Sequence, residues 1–395
     1  MSDSESTAGM RRPLRFHVMA KPASAACNLR CNYCYYSHRA GATPARRMHG
    51  DVLGAYVRQV LEAQRGASEV SFSWQGGEPT LAGLEFFREA ITLQERFREP
   101  GCVVHNALQT NGTLIDREWA TFLAEHRFLV GLSIDGPAHL HDPLRRGRDG
   151  RASHARVMRA LRTLQNAAVE VNTLTVVHAR NWRHGREVYR FLRREGLRHM
   201  QFIPLVERLC ADGTFAPPPP LERRVSISPW TPPPDGYGRF LCAVFDDWFD
   251  ADVGSVFVQA FEEYAAALAG MPPSLCTHGA DCSSTPIVES NGDVYSCDHY
   301  AYPAWRLGNL IDTPVGELIG SERQRAFGRA KRDPLAADCL ACPFLAACVG
   351  GCPKHRFVPS ADGTPMSYLC PSYRRFFAHA ASRLAPLARA AVRGM

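Results

Sequence analysis

The sequence predicts an α/β fold: a domain of parallel strands joined by helices, barrel-like or open, followed by a cysteine-rich segment in the last third of the chain. Three observations predict it. Six short β-branched or apolar runs stand at Phe16–Ala20, Glu69–Trp74, Val103–Gln109, Phe128–Ile134, Val169–Val177 and Met200–Leu205. Between them lie five amphipathic stretches, Asp51–Arg65, Leu84–Arg98, Asp116–Glu125, Ser153–Ala167 and His184–Glu195, each long enough to return the chain to a parallel strand. Polar, glycine-bearing turns follow the strands, at the carboxyl edge where α/β folds place their sites.

Taken in order, strand one runs into a loop with three cysteines and strand two into Gln75-Gly76-Gly77-Glu78-Pro79. Strand three ends in Gln109-Thr110-Asn111-Gly112-Thr113 and strand four in Ser133-Ile134-Asp135-Gly136-Pro137. Strand termination accounts for the Gly and Pro, but not for the repeated Gln, Glu, Ser and Asp. Residues 207–235 carry eight prolines and read as a stiff connector rather than a folded element. Two helical patterns follow, Gly236–Ala251 and Val256–Ala269; then comes the span from Cys276 to Cys370, and a helix rich in Ala and Arg closes the chain. The expected organisation is a polar, disordered tail at 1–12, the strand–helix domain at 13–235, linking helices at 236–275 and the cysteine-rich domain with its terminal helix at 276–395.

At 395 residues, 45% of them hydrophobic, the chain can bury the cores of two or three domains. It holds no run of about 18 apolar residues and no secretory signal pattern, so it is expected to be soluble and cytoplasmic, with no membrane partner. The 46 basic residues exceed the 39 acidic ones by a margin spread over the chain. No basic patch with a recognised module appears, which argues against a nucleic-acid partner. Fourteen cysteines in a reducing compartment point to metal ligation rather than disulfides. Cys102, Cys210 and Cys242 stand apart and are expected to be buried free thiols.

Cys27, Cys31 and Cys34 have C-x3-C-x2-C spacing directly after the first strand. Three thiolates on one loop can hold three corners of a [4Fe–4S] cube and leave the fourth iron open; zinc with His38 as fourth ligand is the alternative. The second group is Cys276-x5-Cys282-x14-Cys297, then Cys339-x2-Cys342-x5-Cys348-x3-Cys352, then Cys370. Eight thiolates suffice for two four-cysteine sites, zinc or iron–sulfur, and spacing does not choose between the metals.

The three-cysteine loop, with Tyr33 in its aromatic place, and the Gly-Gly-Glu-Pro segment resemble the radical S-adenosylmethionine (SAM) enzymes. The later cysteines, with Gly292 between Cys282 and Cys297, resemble the SPASM extension of that family. Among its members the chain is most similar to the anaerobic sulfatase-maturating group, through FHVMAKP, WQGGEPT, LQTNGT, GLSIDGP, YSCDHY, RLGN and GGCPKHRF; the likeness weakens across 207–235. The resemblance implies a partial (β/α)6 radical SAM barrel with a C-terminal Cys-rich SPASM iron–sulfur domain, and an oxidoreductase converting a Cys or Ser of a sulfatase C/S-x-P/A-x-R segment to Cα-formylglycine. Its implied cofactors are three [4Fe–4S] clusters and SAM, cleaved reductively to methionine and a 5′-deoxyadenosyl radical. Its implied partners are an unfolded sulfatase precursor and a low-potential electron donor.

By the same resemblance, Cys276, Cys282, Cys297 and Cys352 hold one auxiliary cluster and Cys339, Cys342, Cys348 and Cys370 the other. Tyr33, Gln75, Gly76, Gly77, Glu78, Ser133, Arg145 and Val206 are implied SAM contacts, Tyr33 against the adenine, Ser133 and Arg145 toward the carboxylate, Val206 as an apolar wall. Asp298, next to Cys297, is the implied catalytic base, and Tyr36 a second catalytic candidate that positions substrate or water. Gln75, Gln109 and Asn111 are polar pocket candidates for a peptide backbone, and Asp135 reads as a turn residue. Two other readings remain: a SPASM enzyme that crosslinks or modifies a ribosomally made peptide, and a zinc-stapled interaction protein without activity.

Overall fold

The computed structural model describes residues 16–38, 47–219 and 225–393; the expected tail at 1–12 lies outside the described residues. Six strands, β1 (Met19–Ala20), β2 (Glu69–Trp74), β3 (Val103–Thr110), β4 (Leu129–Ser133), β5 (Glu170–Val177) and β6 (His199–Pro204), pair in parallel, each with the next in sequence. A doubly wound sheet would reverse its order at a switch point. Sequential order with crossovers of one hand instead keeps the helices on one face and curls the sheet, the geometry of a partial barrel. The crossover helices are Gly50–Ala63, Leu84–Phe97, Arg117–Glu125, His154–Asn166 and Gly185–Arg194, within two residues of the amphipathic stretches at either end.

Strand β1 is shorter than the apolar run Phe16–Ala20. The amides of His17 and Met19 donate to the carbonyls of Ser284 and Pro286, but Pro286 has no N–H to return, so the ladder closes only from Met19 onward. The proline-rich stretch is not merely a connector: β7 (Arg208–Cys210) pairs antiparallel with β8 (Val225–Ile227). The described prolines fall outside the paired residues, and the Glu207 amide donating to Thr231 Oγ1 (3.0 Å) closes the base of the hairpin. The pattern Val256–Ala269 splits into strand β9 (Phe257–Val258) and helix Gln259–Leu268, because the Phe257 amide bonds Arg198 at the edge beside β6.

The cysteine-rich segment continues the same sheet. Strand β10 (Ile287–Val288) pairs in parallel with β1 in the register Met19↔Ile287 and Ala20↔Val288. Antiparallel β11 (Asp293–Tyr295) and β12 (Arg306–Asn309) complete a ten-stranded sheet with β9 at its other edge. The cores follow this continuity: Val288, Leu310 and Ile319 pack with Leu53, Phe72 and Trp74, while Tyr373 and Phe376 of the closing helix Cys370–Arg393 pack with Phe240 and Phe245. Among the described residues no helix is long and apolar enough to cross a membrane.

Trp74, at the carboxyl end of β2, is wholly buried against Tyr56, Phe72, Phe86 and Phe87, and its indole N–H donates to Asn106 Oδ1 (2.8 Å). Trp74→Ala should cost about 3–5 kcal/mol, chiefly through the cavity it leaves among the four rings. Urea unfolding followed by circular dichroism checks it, as a lower midpoint with a similar slope.

Candidate active site

The loop after β1 carries Cys27, Cys31 and Cys34 into the wall of a cavity of about 200 Å³ at the carboxyl edge of the sheet. The turn after β2 lies directly on that loop: the Gly77 amide donates to Ser24 O and the Glu78 amide to Ala26 O, both at 2.7 Å. A Cβ on Gly77 would sit 2.0 Å from the Ala26 carbonyl oxygen, and Gly76 has φ +137°, so glycine is required at both. Gln75, Gly76 and Gly77 line the cavity, but Glu78 does not. Its carboxylate is wholly buried and accepts from Thr80 N, Thr80 Oγ1, Thr110 Oγ1 and Asn111 N. Glu78 knits the turns after β2 and β3 together.

Arg145 and Ser133 line the same cavity. The buried guanidinium donates from Nη1 to Tyr33 Oη (2.9 Å), Tyr33 donates to Asp135 Oδ2 (2.5 Å), and Arg145 Nε is buried without a protein partner. An unpaired buried N–H of a cation suits an anionic ligand group such as a carboxylate. Ser133 Oγ accepts from Gln109 Nε2 (3.1 Å), and Asn111 Nδ2 reaches Cys27 Sγ (3.7 Å) and Asn28 (2.9 Å). The Tyr33 ring stacks on His178. Asp135 is therefore more than a turn residue: it fixes Tyr33 and accepts from the Val176 amide (3.0 Å).

Asp298 faces this cavity from the C-terminal segment, brought there by the pairing of β10 with β1. Its Oδ1 accepts from Lys21 Nζ (2.5 Å) and its Oδ2 from Tyr35 Oη (2.6 Å). Burial opposes its charge, but the Lys21 and His299 charges and the two hydrogen bonds outweigh burial and hold the carboxyl well below the usual carboxylate range. Lys21 is 1% exposed, also donates to Gln75 Oε1 (2.7 Å), and lies over the Tyr36 ring. Tyr36 lines the cavity with its hydroxyl committed to Glu289 Oε1 (2.6 Å), so its part in the arrangement is to hold Lys21.

A second cavity of about 230 Å³ shares Tyr33, Cys34, Tyr35, Val176 and Ile203 with the first. Val206 lines this second cavity. Lys354 pairs with buried Glu207 and lies over the Tyr35 ring (4.2 Å), so Tyr35 is held on both sides of the shared wall. Lys21, Tyr35, Glu207, Glu289 and Lys354 were not singled out from the sequence; the signal was a lysine closing an apolar strand and another two residues after a cysteine.

The eleven clustered cysteines fall into three sets. Cys282 and Cys297 lie within electrostatic reach of Cys276 and Cys352, and Cys348 and Cys370 within reach of Cys339 and Cys342. The second of these sets lines one cavity together. Burial pushes the thiols of Cys31, Cys282 and Cys348 up to about 12, so these sites need a metal to keep the thiolate. Among the described residues, three metal-ligand atoms that all lie within 4.8 Å of one another belong to His139, His184 and Glu187, near the surface. Cys102 is buried and Cys210 and Cys242 are half-buried, all outside the three sets.

Residues 22–192 match the radical SAM superfamily and residues 282–343 the SPASM iron–sulfur cluster-binding domain. The chain is 38% identical to the serine-type anaerobic sulfatase-maturating enzyme of Bacteroides thetaiotaomicron, over 92% of this chain and 89% of that one. It belongs to the anaerobic sulfatase-maturating enzyme family. The cysteine-type member from Clostridium perfringens is 35% identical, over 93% of this chain and 96% of that one. A solved structure of native anSMEcpe with bound AdoMet and the Cp18Cys peptide superposes with a TM-score of 0.84 at 34% identity, covering 95% of this chain and 99% of that one. As a member of this family the chain is an enzyme that takes SAM and [4Fe–4S] clusters, and cysteine sets of three, four and four fit three such clusters.

Gly77→Ala should push the turn after β2 off the cysteine loop. The reconstituted variant is expected to fall from about twelve iron atoms per chain to about eight, with the auxiliary clusters retained. Iron and acid-labile sulfide analysis beside the unsubstituted protein checks it.

Proposed function

We propose that this chain oxidises the Cys or Ser of a sulfatase active-site segment to Cα-formylglycine. The position of Asp298 carries the reading: its ionised carboxylate faces the cavity of the three-cysteine loop and directly follows Cys297 of an auxiliary set. The curated relatives are named for this activity with serine and with cysteine, and both targets remain within the proposal.

Cys27, Cys31 and Cys34 would hold the first cluster, and Arg145, Ser133 and the Gln75–Gly77 turn would hold SAM against it. When bound, cluster and SAM supply a radical that takes a hydrogen atom from an unactivated carbon, here the target Cβ. The residues of the chain do the rest. Tyr33, pinned by Arg145 and Asp135, forms the wall between the cavities, so the peptide enters through the second cavity and its reacting side chain reaches the first.

Asp298 takes the proton of the target thiol or hydroxyl. Each of its oxygens accepts one described hydrogen bond and keeps a lone pair for that proton. A thiol titrates near about 8.5 and a carboxylate near about 4, so the transfer is uphill until the neighbouring carbon becomes a radical and the proton acidifies. Lys21, Tyr35 and Tyr36 keep Asp298 charged and aimed. Removal of one hydrogen atom, one proton and one electron leaves the aldehyde from Ser, or from Cys the thioaldehyde that water converts with loss of sulfide. The set Cys276, Cys282, Cys297 and Cys352 would hold the acceptor of that electron, one residue from the base. A low-potential donor must supply the electron that starts each turnover. The target would leave its own fold to reach the buried wall, so the proposed substrate is the unfolded precursor, met in the cytoplasm.

Reduced, reconstituted protein with SAM and a peptide bearing C/S-x-P/A-x-R should give a mass loss matching the aldehyde. A thioether crosslink would sink the proposal in favour of a peptide-crosslinking enzyme. Asp298→Asn should keep its iron and still cleave SAM, while product falls about 100-fold or more. Product at the unsubstituted rate would remove Asp298 as the base.

A further inference from the structure

Two buried cations lie beside the auxiliary cysteine sets without a carboxylate partner among the described residues. Lys331 is fully buried, and its ammonium donates to the carbonyl oxygens of Cys276 and Thr277. Arg356 is 8% exposed, and its guanidinium donates to three consecutive carbonyls: Nε to Gly350 (3.0 Å), and Nη2 to Val349 (3.0 Å) and Gly351 (3.2 Å).

Those three carbonyls belong to the spacer between Cys348 and Cys352, whose cysteines go to different sets. Val349, Gly350 and Gly351 all have positive φ, 45°, 70° and 66°, and this left-handed run turns the carbonyls onto one guanidinium. A buried charge is costly unless opposite charge faces it. Lys331 faces Cys276, Cys282 and Cys352, all of the first auxiliary set. Arg356 faces Cys282 and Cys352 of the first set and Cys339 and Cys348 of the second.

We propose that Lys331 and Arg356 set the reduction potentials of the auxiliary clusters, Arg356 acting on both and Lys331 on the first alone. A [4Fe–4S] core with four thiolates is an anion whose charge grows by one when it gains an electron. A fixed cation nearby favours the reduced form and raises the potential. The Arg356 guanidinium also holds the carbonyls of the shortest covalent link between the two sets, Cys348 to Cys352, so one charge is kept beside both. The purpose rests on the proposed reading, in which the substrate loses one electron and the first auxiliary cluster gains it; the potentials are measured with no substrate present.

The test is a redox titration followed by electron paramagnetic resonance on the anaerobically reconstituted full chain, with the signals assigned in a Cys339→Ala/Cys370→Ala variant. Lys331→Met should move the first auxiliary midpoint to lower potential and leave the second in place. Arg356→Gln should lower both, and Arg356→Lys, which keeps the charge but loses the fork, should return both toward the unsubstituted values. Unmoved potentials, or an Arg356→Lys shift as large as that of Arg356→Gln, overturn the inference. If Arg356→Gln loses iron, Lys331→Met decides, and an unshifted first cluster overturns the inference. Shifted potentials in a protein that makes no formylglycine would defeat the proposed function and leave this inference standing.

Discussion

Everything at the site turns on one buried nitrogen. Lys21 ends β1 with its side chain almost fully enclosed, where an unpaired ammonium would cost several kcal/mol. Three parts of the chain meet there: Gln75 from the turn after β2, the Tyr36 ring from beyond the cysteine loop, and Asp298 from the C-terminal segment. Asp298 arrives only because β10 adds to the sheet beside β1, in a ladder two residues long. The sheet extension thus serves as the device that brings the proposed base to the cavity where the radical would form. The pair also settles the charge state of Asp298, since the lysine that needs a carboxylate keeps that carboxylate ionised.

The crossovers were legible because period and length are local properties of the chain. Five helices and five of the six strands fall where the apolar patterns put them, and β1 fell short for a reason visible in Pro286. The hairpin at Arg208–Cys210 and Val225–Ile227 was hidden because prolines dominate its surroundings, while pairing needs only three residues on each side. The three-cysteine loop announced itself by spacing. The interleaving of Cys352 with Cys276, Cys282 and Cys297 came only through resemblance to a family, since nothing in C-x5-C-x3-C says that its last cysteine leaves for another set. Lys21, Tyr35 and Lys354 were illegible for a different reason: each acquires meaning from a partner more than 100 residues away in sequence, or from a ring across a cavity wall. Glu78 is a further case, a motif residue whose carboxylate joins two turns through partners that the motif itself does not name.

The two cavities explain why the wall between them is aromatic. Tyr33 and Tyr35 touch both spaces, and each hydroxyl is held by a charged group, Arg145 and Asp135 for one and Asp298 for the other. Rings fixed in this way close the wall with both hydroxyls paired. A radical formed in the first cavity would then meet the side chain that crosses the wall before it meets solvent. On the proposed function the peptide would meet the second cavity, whose wall of Val206, Phe202 and Tyr237 is largely apolar around the Glu207–Lys354 pair.

The first auxiliary set is also where the C-terminal segment is closed. Its ligands come from three separate loops, and those loops are tied together before any metal is considered. Gln324 is fully buried and donates to the carbonyls of Ser283 (2.8 Å) and Ser296 (3.1 Å), each one residue from a ligand, while the Lys331 ammonium holds the carbonyls of Cys276 and Thr277. Hydrogen bonds therefore bring the sulfurs near one another, and the metal supplies what they lack, the positive charge that lets buried thiols ionise together. A site organised this way gains less from the cluster in shape than in charge. Loss of the cluster would leave the sheet and its register intact and return the thiols to their protonated form, so Asp298 would keep its place beside Lys21 while its neighbour Cys297 no longer held an acceptor. On the proposed function, binding of the target and its oxidation would then be separable, the first resting on the cavity walls and the second on the four sulfurs beside Asp298.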